Sequence, residues 1–504
     1  GIKQEAKQGD AQDMGPPPQQ AGAGGFDLRY AYRTMYILVG LVIVTLYVEG
    51  MLTPSLPAIA AEFGVTSAEV ALVLALYSVS GTALAPVIGK MGDIYGKKRI
   101  LVYVLVVYSI AVTVTGFSPT FTFMLVSRTV QGVGLTMMPL AMSIVREEFP
   151  RELVPRAQGI ISGMFGVGFA ISLPLGALIS NDYGWQTTYH TAVPFVLLLT
   201  YLVYSRVRES PYTRPGARVD YIGAGLLGGS LVLIVLSISL GPELVGTVVS
   251  PLWLLVAGLL LLVPLAWYER YYQRNIGDPI LNLRLLSLRN VMNTNVTFAV
   301  ASLGMFLAFQ SYVYKLELPP PAGFGFDIFV AGLSLLPLAV AITIFAPIIG
   351  MIVPRFGVKP IAITGAVIGA IGFLLSSVQG SSAYLLFATF VTGAGISILN
   401  ASAINLLVLT VDPREMGLAT SMNTVFRNLG GSLGAPIAGA LLATFTAPLL
   451  TARAGYQVLP TAQAFQYAFY IAAALFVLIA FVLLFAEEVL GPKAEENGPS
   501  TRKT

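Results

Sequence analysis

The stretch GKMGDIYGKKR at residues 89 to 99 returns as GMIVPRFGVKP at residues 350 to 360, an offset of 261 positions. Gly89, Gly96 and Lys98 fall on Gly350, Gly357 and Lys359. The register outlasts the loop, because further on Gly132 and Gly134 fall on Gly393 and Gly395. In each copy a short glycine-bearing basic turn separates two apolar runs. Two related halves of the chain are implied, and the turn marks the same boundary in each.

The runs on either side set the environment. Of 504 residues, 56% are hydrophobic and 11% charged, against about 25% charged in a soluble protein. Apolar stretches of roughly 20 residues recur almost throughout, each long enough to cross about 30 Å of hydrocarbon. Fourteen spans are predicted, at about 34–56, 69–90, 98–117, 122–147, 156–180, 186–206, 219–240, 250–272, 290–314, 327–352, 360–380, 383–410, 415–446 and 464–487. Those near 219–240 and 250–272 have no counterpart in either half. The expected fold is an all-α polytopic membrane protein with two pseudo-symmetric six-helix halves, 34–210 and 276–487, and an inserted two-helix hairpin at 211–275. An amphipathic segment opens the second half. The polar ends, 1–33 and 488–504, are expected to be disordered cytoplasmic tails with no cleaved signal. Parallel repeats of this kind build transporters that rock one half against the other around a midplane site.

Orientation follows from Lys and Arg, which cytoplasmic loops retain. With both termini cytoplasmic, all but four of the 29 fall on the inner side. Lys315 and Arg453 fall outside, and Arg128 and Arg427 lie within spans. A multi-pass protein of the cell membrane is expected. The same placement turns the net charge of +4 and pI near 9.0 into a statement about topology, with no nucleic acid as partner. There is no cysteine and one histidine, His190, near the outer end of the sixth span, so neither a metal nor thiolate chemistry is supported. No Walker-type phosphate loop is present. The reading is of a monomer, not an enzyme, with no cofactor, whose partners are the lipid bilayer, protons and a small-molecule substrate.

The residues resemble the major facilitator superfamily, and within it the fourteen-span drug/proton antiporter branch, over nearly all of 34–487. Gly89, Asp93, Gly96, Lys97, Lys98 and Arg99 look like its loop signature between the second and third spans. Arg128, Gln131, Gly132 and Gly134 match the R-x-x-Q-G-x-G pattern of proton-coupled members. The branch is indicated by the inserted hairpin, by DPILNLRLLSLRN at 278–290, and by AGLSLLP at 331–337 and NTVFRNLGGSLG at 423–434. The fifth span departs from the family's antiporter motif: Pro174 is displaced by one position from the usual Gly-Pro. Small residues nevertheless recur at Gly168, Ser172, Gly176 and Ser180, a stripe that lets a neighbouring helix approach closely. The resemblance implies export of small lipophilic molecules by alternating access, driven by protons, with the loop motif locking the cytoplasmic side.

Glu49 is the one acid well inside a predicted span, where an ionised carboxylate costs on the order of a few kcal/mol unless paired or hydrated. A proton carrier needs a group in that position; the other reading is a side chain snorkelling outward or fixed in an ion pair. Counted at 1.5 Å per residue, Glu49 and Arg128 both lie roughly 10 Å below the outer boundary and can meet. Arg128 then either biases the ionisation of Glu49 during the cycle or is structural, tied to backbone carbonyls or to Gln131. Arg427 has no acid at its depth and contacts substrate or carbonyls. Gln131, Tyr77, Gln310, Asn400 and Asn423 are the remaining candidates to line a substrate cavity. Two rivals stay open: a dedicated exporter or facilitator of one metabolite, anion or lipid-like substrate, and a membrane sensor that transports nothing.

Overall fold

Asp27 starts the first helix by accepting a hydrogen bond from the Tyr30 amide at 3.2 Å, which satisfies one of the free N–H groups at a helix N-terminus. The computed structural model describes residues 25–491, apart from 53–54, 66, 217, 240–249, 278, 280 and 452–454. Helix α1 covers Leu28–Gly50. It therefore ends six residues before the predicted boundary at 56. Pro54 accounts for the shortfall, since a proline disfavours helix in the residues leading into it. A short helix α2, Leu56–Phe63, follows, and then α3, Ser67–Tyr95. Gly96, at φ 108°, turns the chain into α4, Lys97–Thr115, in a conformation that strains any residue bearing a Cβ.

The fourth predicted span is not one uninterrupted α-helix. It runs as α5, Phe121–Gln131, a 3₁₀ segment, Gly132–Thr136, and α6, Met137–Glu148. The two glycines of its motif sit at the interruption for a steric reason. A Cβ at Gly132 would lie 2.5 Å from the Tyr77 carbonyl, and one at Gly134 would lie 2.7 Å from the Tyr108 ring. Helices α7, Val154–Tyr183, and α8, Trp185–Arg206, complete the first half. The inserted pair is α9, Tyr221–Ser239, and α10, Pro251–Asn275. It rests on α3 through a cluster of Ala85, Leu227, Leu231, Leu265 and Val425.

The second half opens with the short α11, Leu283–Ser287, and continues through α12, Arg289–Glu317, α13, Ile328–Ser334, α14, Leu336–Phe356, α15, Val358–Ser377, and α16, Ser382–Val408. Its last long helices are α17, Met416–Thr444, and α18, Ala462–Leu484. Between them lies an antiparallel β-hairpin, β1, Thr446–Thr451, and β2, Gly455–Pro460, with Thr446 opposite Pro460. This is a departure from the all-α expectation, although the framework remains helical. Nine of the described helices are long and apolar enough to cross a membrane.

The halves meet along two antiparallel helix pairs, α3 with α17 and α7 with α14, and the 261-residue register relates one pair to the other. On the first, a Cβ at Gly89 would strike Ser421 and the Gly417 carbonyl. On the second, one at Gly350 would strike the Pro155 carbonyl and the Arg156 backbone. Glycine is needed at both because the two backbones nearly touch.

Candidate functional site

The last carbonyls of a helix lack the N–H partners that continue its ladder. At the end of α1, Tyr47 gives its carbonyl to the Met51 amide, which leaves those of Val48 and Glu49 open. Arg128 takes both: its guanidinium donates to the Val48 carbonyl at 3.3 Å and to the Glu49 carbonyl at 3.2 Å. It also donates to the Gln131 side-chain oxygen at 3.0 Å, the Tyr189 hydroxyl at 3.2 Å and the Val73 carbonyl at 3.4 Å. The Tyr77 ring lies 4.2 Å from its central carbon, a cation–π contact that covers the remaining face. Arg128 is fully buried and is the largest side chain so enclosed.

The expected meeting of Glu49 and Arg128 therefore happens through the Glu49 backbone. Their side chains form no ion pair, and the contact between the two residues runs from the guanidinium to the Glu49 carbonyl. The Glu49 side chain is partly exposed. Its segment is seated by the small-residue stripe of α7. A Cβ at Gly50 would lie 2.6 Å from the Ser172 hydroxyl, one at Gly176 2.6 Å from the Met51 carbonyl, and one at Gly168 2.7 Å from Leu46. Ser55 donates to Ser180 at 2.6 Å one turn beyond. Pro174 stands off this stripe, where a Cβ at Gly332 of α13 would lie 3.5 Å from its ring.

Two of the cavity candidates belong to the shell of Arg128. Gln131 is fully buried, accepting from Arg128 and donating to the Thr115 hydroxyl at 2.6 Å. Tyr77, 2% exposed, is the ring beneath the guanidinium. Gln310 and Asn400 keep partial exposure. Asn423 is buried on α17, donating to the Asn295 side-chain oxygen at 3.1 Å and accepting from Arg427 Nε at 3.0 Å. Arg427 lies over the Phe298 ring at 3.8 Å and remains partly exposed. His190, in the second turn of α8, lies against the Phe117 ring at 4.6 Å between centroids and tilted by 44°.

The loop motif holds the halves together at the end carrying the basic loops. Asp93 accepts from the Gly417 and Leu418 amides, each at 2.9 Å, so its carboxylate caps the N-terminus of α17. Lys97, fully buried, lies 2.6 Å from Glu147 and 3.6 Å from Asp93, and donates to the Pro413 carbonyl at 3.1 Å. Arg146 and Arg151 donate to the Val408 and Leu409 carbonyls at the end of α16, at 2.9 and 3.0 Å. Lys98 and Arg99 contribute backbone amides, which donate to Glu209 at 3.2 and 3.0 Å. In the second copy the equivalent cap is Glu488, which accepts from Val358 and Lys359 at 2.7 and 3.0 Å.

Sequence reading missed two features. One is the pair of capping acids, Glu209 and Glu488. The other is a buried pair of carboxyl groups in the inserted hairpin, Asp220 at 1% and Glu269 at 0% exposure, with Asp220 Oδ2 and Glu269 Oε1 both lacking a hydrogen-bond partner among the described residues. Glu269 Oε2 accepts from the Leu281 amide at 3.2 Å, tying α10 to the segment that opens the second half. The signal available was Glu269 itself, an acid near the end of a predicted span.

Comparison with known proteins gives a consistent picture. The Major Facilitator Superfamily model matches residues 38–343 and 295–503 in overlapping segments. The multidrug resistance protein fnx1 of Schizosaccharomyces pombe is 26% identical over 75% of this chain and 72% of its own length. The multidrug resistance protein Stp of Mycobacterium tuberculosis is 24% identical over 82% of this chain and 76% of its own. Among solved structures, the proton:xylose symporter XylE superposes with a TM-score of 0.63 at 16% identity, over 94% of this chain and 99% of that one.

Proposed function

The chain belongs to the Major Facilitator Superfamily, a family of secondary transporters and not of enzymes, and from that membership we propose that it is a proton-coupled antiporter exporting small lipophilic molecules. Fourteen spans, with both termini in the cytoplasm, complete the reading. The observation that carries it is the arrangement at the end of α1. Arg128 grips the Glu49 backbone and leaves the carboxylate partly exposed and without an ion pair among the described residues. A carboxyl group placed in this way can load and release a proton while the helix end stays fixed. Asp93, Lys97 and the glycines of the first loop hold the cytoplasmic side closed in one state and release it in the other. The resemblance to multidrug resistance proteins supports a lipophilic cargo.

The test is uptake into proteoliposomes with an imposed pH gradient, comparing the native chain with Glu49→Gln. Gradient-driven flux is expected to vanish in the variant while substrate-for-substrate exchange persists. Unchanged gradient-driven flux removes Glu49 from coupling. A second reading, a dedicated carrier of one metabolite, anion or lipid-like substrate, draws support from Arg427, which has no acid beside it. Competition by a single chemical class in a mixed substrate panel would select that reading over multidrug export.

A further inference from the structure

Arg427 is the second arginine within the spans, and its contacts leave most of its donors unused. Nε donates to Asn423, and Phe298 lies against one face. A guanidinium has five N–H groups in a rigid planar fork, and the four on its terminal nitrogens meet no acceptor among the described residues. Behind it, the Asn295 amide nitrogen is fully buried and also lacks an acceptor among the described residues. The cluster thus carries surplus donors and no counter-charge, in a part of the chain where unmatched polar groups are costly.

Arg427 lies on the stretch of α17 that packs against the first half. Thr420, Thr424 and Arg427 follow one another at helical spacing on one face of α17. At the first of them the halves are closed, with the Thr420 and Ser143 hydroxyls 3.0 Å apart and Thr420 also donating to the Pro139 carbonyl. Two turns further out, Arg427 is partly exposed. On the neighbouring side of the same turn, Asn428 donates to Thr82 of α3 at 3.0 Å and links the halves at the same level. Asn423 and Phe298 fix the fork from behind, so a ligand meets a preorganised donor set.

We propose that Arg427 binds the carboxylate of an organic-acid substrate, with the terminal nitrogens forming a bidentate pair to its two oxygens. The proposal rests on the transporter reading above and narrows its cargo to molecules bearing a carboxylate on an apolar body. A lysine is a poorer substitute, because it offers a point charge where the fork offers two parallel bonds.

The experiment uses the purified full chain and two fluorescent probes of nearly the same shape, 2-naphthoate and the neutral 2-naphthamide. The native protein is expected to bind the acid at least tenfold more tightly than the amide. Arg427→Gln is expected to erase that preference while leaving amide binding unchanged, which also shows that the variant is folded. Arg427→Lys should recover part of the preference. No preference in the native protein, or an undiminished one in Arg427→Gln, overturns the assignment. Proton-driven flux of whichever probe the native chain carries, lost in Glu49→Gln, separates this outcome from failure of the antiporter reading, since that flux persists in the native chain if only the carboxylate assignment is wrong.

Discussion

The two halves share a register and differ in how they hold charge. Moved by 261 positions, Glu49 falls on Gln310, Asp93 on Pro354 and Arg128 on Thr389, while Arg427 falls back on Gly166. In the first half Arg128 is saturated by backbone and side-chain acceptors, and Asp93 is bound to a helix N-terminus. In the second half Arg427 has one hydrogen-bond partner among the described residues and an aromatic face. A repeat can thus preserve helix packing while reassigning charge, giving one half a fixed framework around a free acid and the other an open cation.

The largest expected effect comes from breaking the saturated side. Arg128→Ala leaves the Val48 and Glu49 carbonyls, Gln131 and Tyr189 without their donor. At about 1–3 kcal/mol for each buried group left unmatched, the loss should exceed roughly 3 kcal/mol and show as a large fall in Tm in detergent. A Tm close to native would mean that the helix end needs no cap. Next is Asp93→Asn, which weakens two charge-assisted bonds of about 1.5–3 kcal/mol each. Because the chain lacks cysteine, Thr420→Cys can report whether this end has opened. Labelling from the side of the basic loops is expected to rise several-fold when Asp93→Asn is added, and an unchanged rate would show that the cap does not hold the halves shut.

The opposite change sharpens the comparison. Pro354→Asp restores the missing acid in the second copy, opposite the start of α7, where Arg156 and Ala157 stand in the positions of Gly417 and Leu418. It is expected to slow the same labelling, by less than the Asp93 change speeds it, because the Ala157 amide already donates to the Leu153 carbonyl at 3.2 Å. The smallest effect belongs to Arg427→Gln. Removing a guanidinium whose donors are mostly unmatched should alter stability by less than about 1 kcal/mol, with Tm near native. A loss as large as that for Arg128→Ala would make Arg427 a structural residue.

Much of this was legible in the chain. The recurring loop gave the register, the apolar runs gave the helices, and the stripe from Gly168 to Ser180 gave the face on which α1 is seated. The depth count brought Arg128 to Glu49 but not to the right atom. A carbonyl and a carboxylate of one residue lie at the same depth, and only the early end of α1 decides that the carbonyl is the open acceptor. The two helix-capping acids escaped for another reason. Glu209 and Glu488 are 279 positions apart (488 − 209), not 261, because the β-hairpin at 446–460 lengthens the second half before its last helix. The Asp220 and Glu269 pair spans the inserted hairpin, which has no second copy for comparison.

The proton itself gives the most direct test. Proteoliposomes loaded with a pH-sensitive dye, with substrate supplied on one side and no imposed pH gradient, report whether substrate movement drives protons the other way. The native chain is expected to move protons against substrate. Glu49→Gln, which installs the residue the second half carries at Gln310, is expected to exchange substrate with no proton signal. A proton signal of native size from Glu49→Gln would contradict the assignment of coupling to this one carboxyl group.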